Sequence, residues 1–298
     1  MKKDLNELTD ISEDNIRKNM PDILNILLID RTKSTAKTNK NIIWANDNYM
    51  KFGVRYYKPT AQIKPELITG HMDGIIKPRA LKTQDLKKSR TKTKAEVFTP
   101  TWVVKMQNDT VDNNYQEDDI EKYIRRTWLE ITCGEAPYMA SRYDMETGKI
   151  IPLGNRVGFL DRKLARINSE ITDKAEWQRL VEESYKASYG FEWNGDSLLL
   201  ARENLLYSYI DYYFAKWKVQ PTKGLLEEIA RIISYNAFQM DGLKYIIPLS
   251  EKKEKIKEVQ LSLFDEESEE KYKVNPGKRV KIMNWQKNKM EFFDKGVK

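Results

Sequence analysis

The chain of 298 residues holds one cysteine, Cys133, and one histidine, His71. A lone cysteine excludes an internal disulfide framework, and a lone histidine argues against a zinc cage. His71 lies in the turn-like Thr-Gly-His-Met-Asp-Gly, a setting that is usually not catalytic. No run of eighteen apolar residues occurs, so no membrane-spanning helix is expected. The amino terminus reads Met-Lys-Lys-Asp-Leu-Asn, without an apolar signal core, and a cytoplasmic protein is expected. None of the ten prolines adjoins another, which removes any motif built on a Pro-Pro pair.

Charge, by contrast, is abundant. Lys and Arg exceed Asp and Glu by 52 to 45, a net +7, and the excess is uneven. Between residues 77 and 105 stand Lys77, Arg79, Lys82, Lys87, Lys88, Arg90, Lys92, Lys94 and Lys105, opposed only by Asp85 and Glu96. Such a block suits phosphate neutralisation on DNA; the other reading is a solvated linker face. The length suffices for one large domain or two unequal ones. Ser12 to Asp30 reads as a helix, with Ile16, Met20, Ile23, Leu24, Leu27 and Leu28 at helical spacing and a break or kink at Pro21. A loop to Lys40 and a short buried strand over 41–45 follow.

The stretch Trp128-Leu-Glu-Ile-Thr-Cys-Gly-Glu-Ala-Pro-Tyr138 has the layout of a strand, loop and helix around a nucleotide. Glu130 closes the strand, and Gly134 lets the backbone approach a ligand. Upstream lies Glu96-Val97-Phe98-Thr99-Pro100, with Pro100 suited to a helix's first position and Trp102, Val103, Val104, Met106 and Gln107 continuing that helix. Downstream come a helix over 173–187 capped by Asp173, a strand at Tyr189-Gly190-Phe191-Glu192, and a helix from Asp196 carrying Ala201-Arg202-Glu203-Asn204-Leu205. A further helix ends at Tyr235, before Phe238-Gln239-Met240-Asp241-Gly242.

In this order the four elements resemble the cofactor-pocket motifs of S-adenosylmethionine-dependent adenine-N6 DNA methyltransferases of restriction-modification systems. The chains labelled restriction endonuclease subunit M are the most similar, and the resemblance covers roughly residues 85 to 250. It implies that Phe98 and Thr99 hold the methionine end and that Glu130, Cys133 and Gly134 form the strand-loop. It also implies that Glu192 accepts from the ribose and that Asp241 accepts from the adenine amino group. By itself, Asp241 also reads as an ordinary Asp-Gly turn. Around the pocket motifs the chain departs from the family pattern in three ways. Ile131 replaces a proline and Ala136 replaces a second glycine, where a positive φ would be uncomfortable. The segment 144–171, with Lys149, Arg156, Arg162, Lys163 and Arg166, is a long insert that could face DNA.

The family's catalytic Asn/Asp-Pro-Pro-Tyr/Phe is missing. Asn284-Trp285, after Val280 to Met283, is the nearest pairing of an amide acceptor with a stacking ring at a strand's end. Within the Glu/Lys/Ser-rich stretch 251–273, Gln260, Leu261, Leu263 and Phe264 resemble the short peptide that binds the bacterial sliding clamp. Folding back on its own domain is the other reading.

The expected fold is α/β, a Rossmann-like class I methyltransferase sheet with a small, mostly helical amino-terminal module. The modules expected are a cap or target-binding unit (1–84), a cofactor-binding domain (85–250), a charged flexible linker (251–273) and a strand segment completing the sheet (274–298). The expected function is methyl transfer from S-adenosylmethionine to adenine in DNA, beside a restriction or specificity subunit. The alternative is a non-catalytic DNA-binding subunit that keeps the cofactor pocket and acts with a partner chain or the clamp.

Overall fold

The computed structural model describes residue 16 and residues 20–82, 99–255 and 272–296. Helix α1 (Pro21–Leu28) starts on Pro21, whose missing N–H costs nothing at the first helical position. It buries Ile23, Leu24, Leu27 and Leu28. The segment that follows is made of single-turn helices, the longest of them Val54–Tyr57, and isolated bridges. Helix α2 (Thr101–Asp112) begins after Pro100, and α3 (Ile120–Arg125) is capped by Asp119, whose side chain accepts from the Lys122 amide.

Strand β1 (Trp128–Glu130), helices α4 (Phe159–Glu170) and α5 (Lys174–Lys186), and strand β2 (Ser188–Glu192) come next. Helices α6 (Gly195–Trp217) and α7 (Lys223–Asn236) then lead to strand β3 (Ala237–Gln239). The strands lie parallel in the order β1-β2-β3, so each connection must cross back over the sheet, and the helix pairs make those crossings. The protein is therefore mixed α/β. The cap expected at Asp173 is present: its carboxylate accepts from the Glu176 amide at 2.8 Å. Helix α6 is buried on nearly every side through its first four turns, as expected of a helix at the centre of a fold.

Alternation along the strands gives the sheet two unlike faces. Trp128, Gly190 and Glu192 share the face toward the helices, where Trp128 stacks on Phe159 of α4 at 5.0 Å. Leu129, Tyr189, Phe191 and Phe238 share the other. The carboxyl-terminal residues lie against that second face. Strands β4 (Lys252–Lys255) and β5 (Tyr272–Asn275) pair with each other, as do β6 (Lys281–Asn284) and β7 (Lys289–Phe292). The strand expected after 274 to complete the sheet instead forms a separate hairpin. Its partner lies a four-residue turn away, so the ladder closes locally. Val280 and Phe293 then cover Phe191 and Phe238.

Among the described residues one apolar cluster runs from Ile23 through Trp44 and Ile63 to Leu199 and Ile233, so segments before and after position 84 share it. Arg202, fully buried, ties these parts together. Its guanidinium donates to the carbonyls of Leu27, Ile29, Ser234 and Ala237. Burial lowers its pKa to about 9. No helix among the described residues is long and apolar enough to cross a membrane.

Candidate functional site

The carboxyl ends of β1, β2 and β3 converge on a cluster of buried polar groups. Glu130 is 7 % exposed, and its two oxygens accept from the amides of Tyr138 (3.2 Å) and Met139 (2.9 Å). Burial pushes its carboxyl up to about 8; the two amides pull it down and the Glu192 charge pushes it further up. Between Glu130 and Tyr138 the chain reverses with Thr132 at φ +48, Gly134 at +55 and Ala136 at +61. Ala136 thus adopts the left-handed backbone expected only of glycine at its place.

This loop is bonded to the neighbouring strand. The Cys133 amide donates to the Phe191 carbonyl at 2.8 Å, and the Gly134 amide donates to Glu192 Oε2 at 2.9 Å. Glu192 Oε1 accepts from the Asn194 amide at 3.0 Å. Burial, with the charges of Glu130 and Glu192, holds the Cys133 thiol well above its ordinary pKa. It packs as a neutral group.

Residues that sequence reasoning passed over complete the cluster. Asp196, in the first turn of α6, accepts from Asn46 Nδ2 at 2.9 Å and from the Tyr49 hydroxyl at 2.7 Å. Gln239 Nε2 donates to the carbonyls of Ile43 and Trp193 at 2.8 Å each, and its Oε1 accepts from the Ile43 amide. Glu135, fully buried, accepts from the Arg79 amide and the Tyr143 hydroxyl. Their one advance signal is composition: polar residues sit beside strand ends, where apolar ones would suffice for packing.

Asp241 stands just past β3, and its Oδ1 accepts from the amides of Leu243 and Lys244 at 2.9 and 3.2 Å, holding the Asp-Gly turn. Thr99 is half-buried ahead of α2, while Phe98 lies outside the described residues. Of the basic block, Lys77 is exposed and Arg79 half-buried; Lys87, Lys88, Arg90, Lys92 and Lys94 lie outside the described residues. So do Gln260, Leu261, Leu263 and Phe264. The cations of the 144–171 insert mostly turn inward. Arg156 pairs with Asp211 at 2.6 Å, Arg162 with Asp109 and Asp112, and Lys163 is buried.

Asn284 and Trp285 lie at the opposite end of the strands. They line a cavity of about 660 Å³ with Thr127, which precedes β1, and Ala187, which precedes β2. The Trp285 indole donates to Asn236 Oδ1 at 2.8 Å, just before β3, and Asn284 Nδ2 donates to Glu291. The structure therefore brings Glu130, Cys133, Gly134 and Glu192 together, with Asp241 near the same end, and leaves Asn284 and Trp285 apart from them. Among the described residues no group of His, Cys, Asp and Glu could hold a metal ion. Comparison of the chain with protein-family models, with curated proteins and with solved structures returns no match.

Proposed function

We propose that the chain binds S-adenosylmethionine at the carboxyl end of a Rossmann-like sheet and works as an adenine-N6 DNA methyltransferase chain of a restriction-modification system. The observation that carries this reading is the bond from the Gly134 amide to Glu192 Oε2 at 2.9 Å. It joins the glycine loop after the first strand to the acid ending the second, the arrangement in which parallel sheets hold the ribose and adenine of a cofactor. The donor set fits such a ligand. Glu192 is a carboxylate at the end of its strand, an acceptor of the kind a ribose hydroxyl donates to. Asp241 holds its turn through Oδ1 alone, leaving Oδ2 for the adenine amino group. Thr99 would meet the methionine end, together with Phe98.

A second reading, a binding subunit without transferase activity, is favoured by the position of Asn284 and Trp285 at the other end of the strands. In that reading the chain works with DNA and a partner subunit. Calorimetry and incubation with tritiated cofactor and unmethylated DNA separate the two. Heat of binding, a raised melting temperature and label on adenine amino groups are expected of the enzyme. Binding without label, with and without cell extract, assigns the subunit role. Absence of binding, with Gly134→Val indistinguishable from wild type, sinks both.

A further inference from the structure

The loop between Asn46 and Lys58 presents aromatic rings to solvent. Its ends are tied together by the bonds Trp44 N–H to Ala61 O (3.1 Å) and Ala45 N–H to Pro59 O (2.8 Å), so it projects as a compact unit. At its tip Phe52 is 41 % exposed, Val54 56 % and Tyr56 49 %. Exposed rings on so short a segment are costly in water unless something stacks on them.

The Phe52 ring and the backbone of Tyr56 are firmly footed. Phe52 meets Tyr57 at 5.8 Å between centroids, Tyr57 meets the fully buried Trp44 at 5.4 Å, and Trp44 meets Tyr49 at 4.4 Å. The Trp44 indole donates to the Tyr56 carbonyl at 3.2 Å, and the Tyr49 hydroxyl donates to Asp196. Anchored rings lose little side-chain freedom when a ligand settles on them. Cations alternate with the rings. Lys51 Nζ lies 5.1 Å from the Phe52 centroid and the Arg55 guanidinium 5.3 Å from that of Tyr56. Lys58 follows, exposed. From Arg31 to Lys64 the chain carries eight lysines and arginines against one acid, Asp47.

We propose that the loop Lys51–Lys58 is a stacking platform for single-stranded nucleic acid, with bases on Phe52 and Tyr56 and phosphates on Lys51, Arg55 and Lys58. Rings gain from unpaired bases, whose faces are open, and not from bases already stacked in a duplex. A base that stacks on Phe52 displaces the Lys51 ammonium toward the neighbouring phosphate. An anionic bilayer is a poorer match, since cations run through the apolar tip that would have to enter it. The inference stands on the loop alone and does not depend on cofactor binding or methyl transfer.

The test is fluorescence anisotropy of the full chain, without cofactor, on a labelled thymidine 20-mer, on a 20-base-pair duplex and on vesicles of phosphatidylserine and phosphatidylcholine. The double variant Phe52→Ala/Tyr56→Ala is expected to lose at least tenfold in affinity for the single strand and less than threefold for the duplex. Phe52→Leu/Tyr56→Leu, which keeps apolar bulk without rings, is expected to match it and is the variant read if the alanine pair fails to fold. Lys51→Glu/Arg55→Glu is expected to lower the salt dependence of single-strand affinity. Phe52→Trp is expected to keep binding, with its fluorescence quenched by the bound strand. The proposal is overturned if wild type does not bind the single strand, or if ring removal changes that affinity less than twofold. It is equally overturned if the ring variants lose vesicle binding alone.

Discussion

Three residues between β1 and Tyr138 hold a left-handed backbone, and they do not cost the same. Thr132, at φ +48, is β-branched and exposed, and its hydroxyl donates only to the adjacent Ile131 carbonyl at 2.7 Å, so little offsets its strain. Asparagine tolerates that region far better, and Thr132→Asn is expected to add about 1 kcal/mol of stability, roughly 2 °C in melting temperature. An unchanged or lower melting temperature would reject this account of the loop. Ala136, at φ +61 and fully buried, behaves otherwise. Glycine would relieve about 1 to 2 kcal/mol of strain there, but the lost methyl burial and the freer unfolded chain take back a similar amount. Alanine at this place is therefore tolerated, and its departure from the glycine pattern does not argue against the loop.

At the scale of elements, helix α4 meets the entry to β1 through Lys163. Its Nζ donates to the Arg126 carbonyl at 2.7 Å, and burial lowers its pKa to about 7. An unfolded lysine titrates near 10.4, roughly its free value. Below pH 7 both states carry the proton and the buried charge weakens the fold. From pH 7 toward 10 only the unfolded chain keeps it, so this contribution to stability rises with pH. Glu130 works in the other direction, since its raised pKa makes stability fall as pH climbs toward about 8. Comparing wild type with Lys163→Met cancels the Glu130 part. The difference in unfolding free energy should move by about 2 kcal/mol in favour of wild type between pH 7 and 9 in urea titrations. Parallel curves would reject the inward placement of this amine. The elements themselves were largely legible in the sequence, because the Asp173 cap, the apolar spacing of α5 and the runs ending in Glu130 and Glu192 are local signals. The polar cluster was not. Asn46, Tyr49 and Gln239 find their partners 150, 147 and 196 residues away, and no local pattern encodes such pairings. The hairpin β6–β7 was misread for a related reason: a strand-forming sequence does not say whether its partner is the sheet or its own neighbour.

Across the whole molecule, Gly195 is the point where the front segment meets the α/β layers. Its amide donates to the Trp44 carbonyl at 3.1 Å, and a methyl placed on it would stand 2.0 Å from the Ile43 carbonyl oxygen. Gly195→Ala is therefore expected to cost about 3 kcal/mol and to open the front segment to limited proteolysis before the rest is cut. Equal melting temperatures and identical cleavage patterns would reject that junction. The same junction has a consequence in time. Ile43 bonds to Gln239, so the front segment leaves the ribosome long before its partner exists. At roughly 5 to 20 residues per second the wait is on the order of 10 to 40 s. Through that interval Trp44 has Tyr49 and Tyr57 of its own segment beside it but lacks the rest of its core, and the nascent chain must be shielded until β3 emerges.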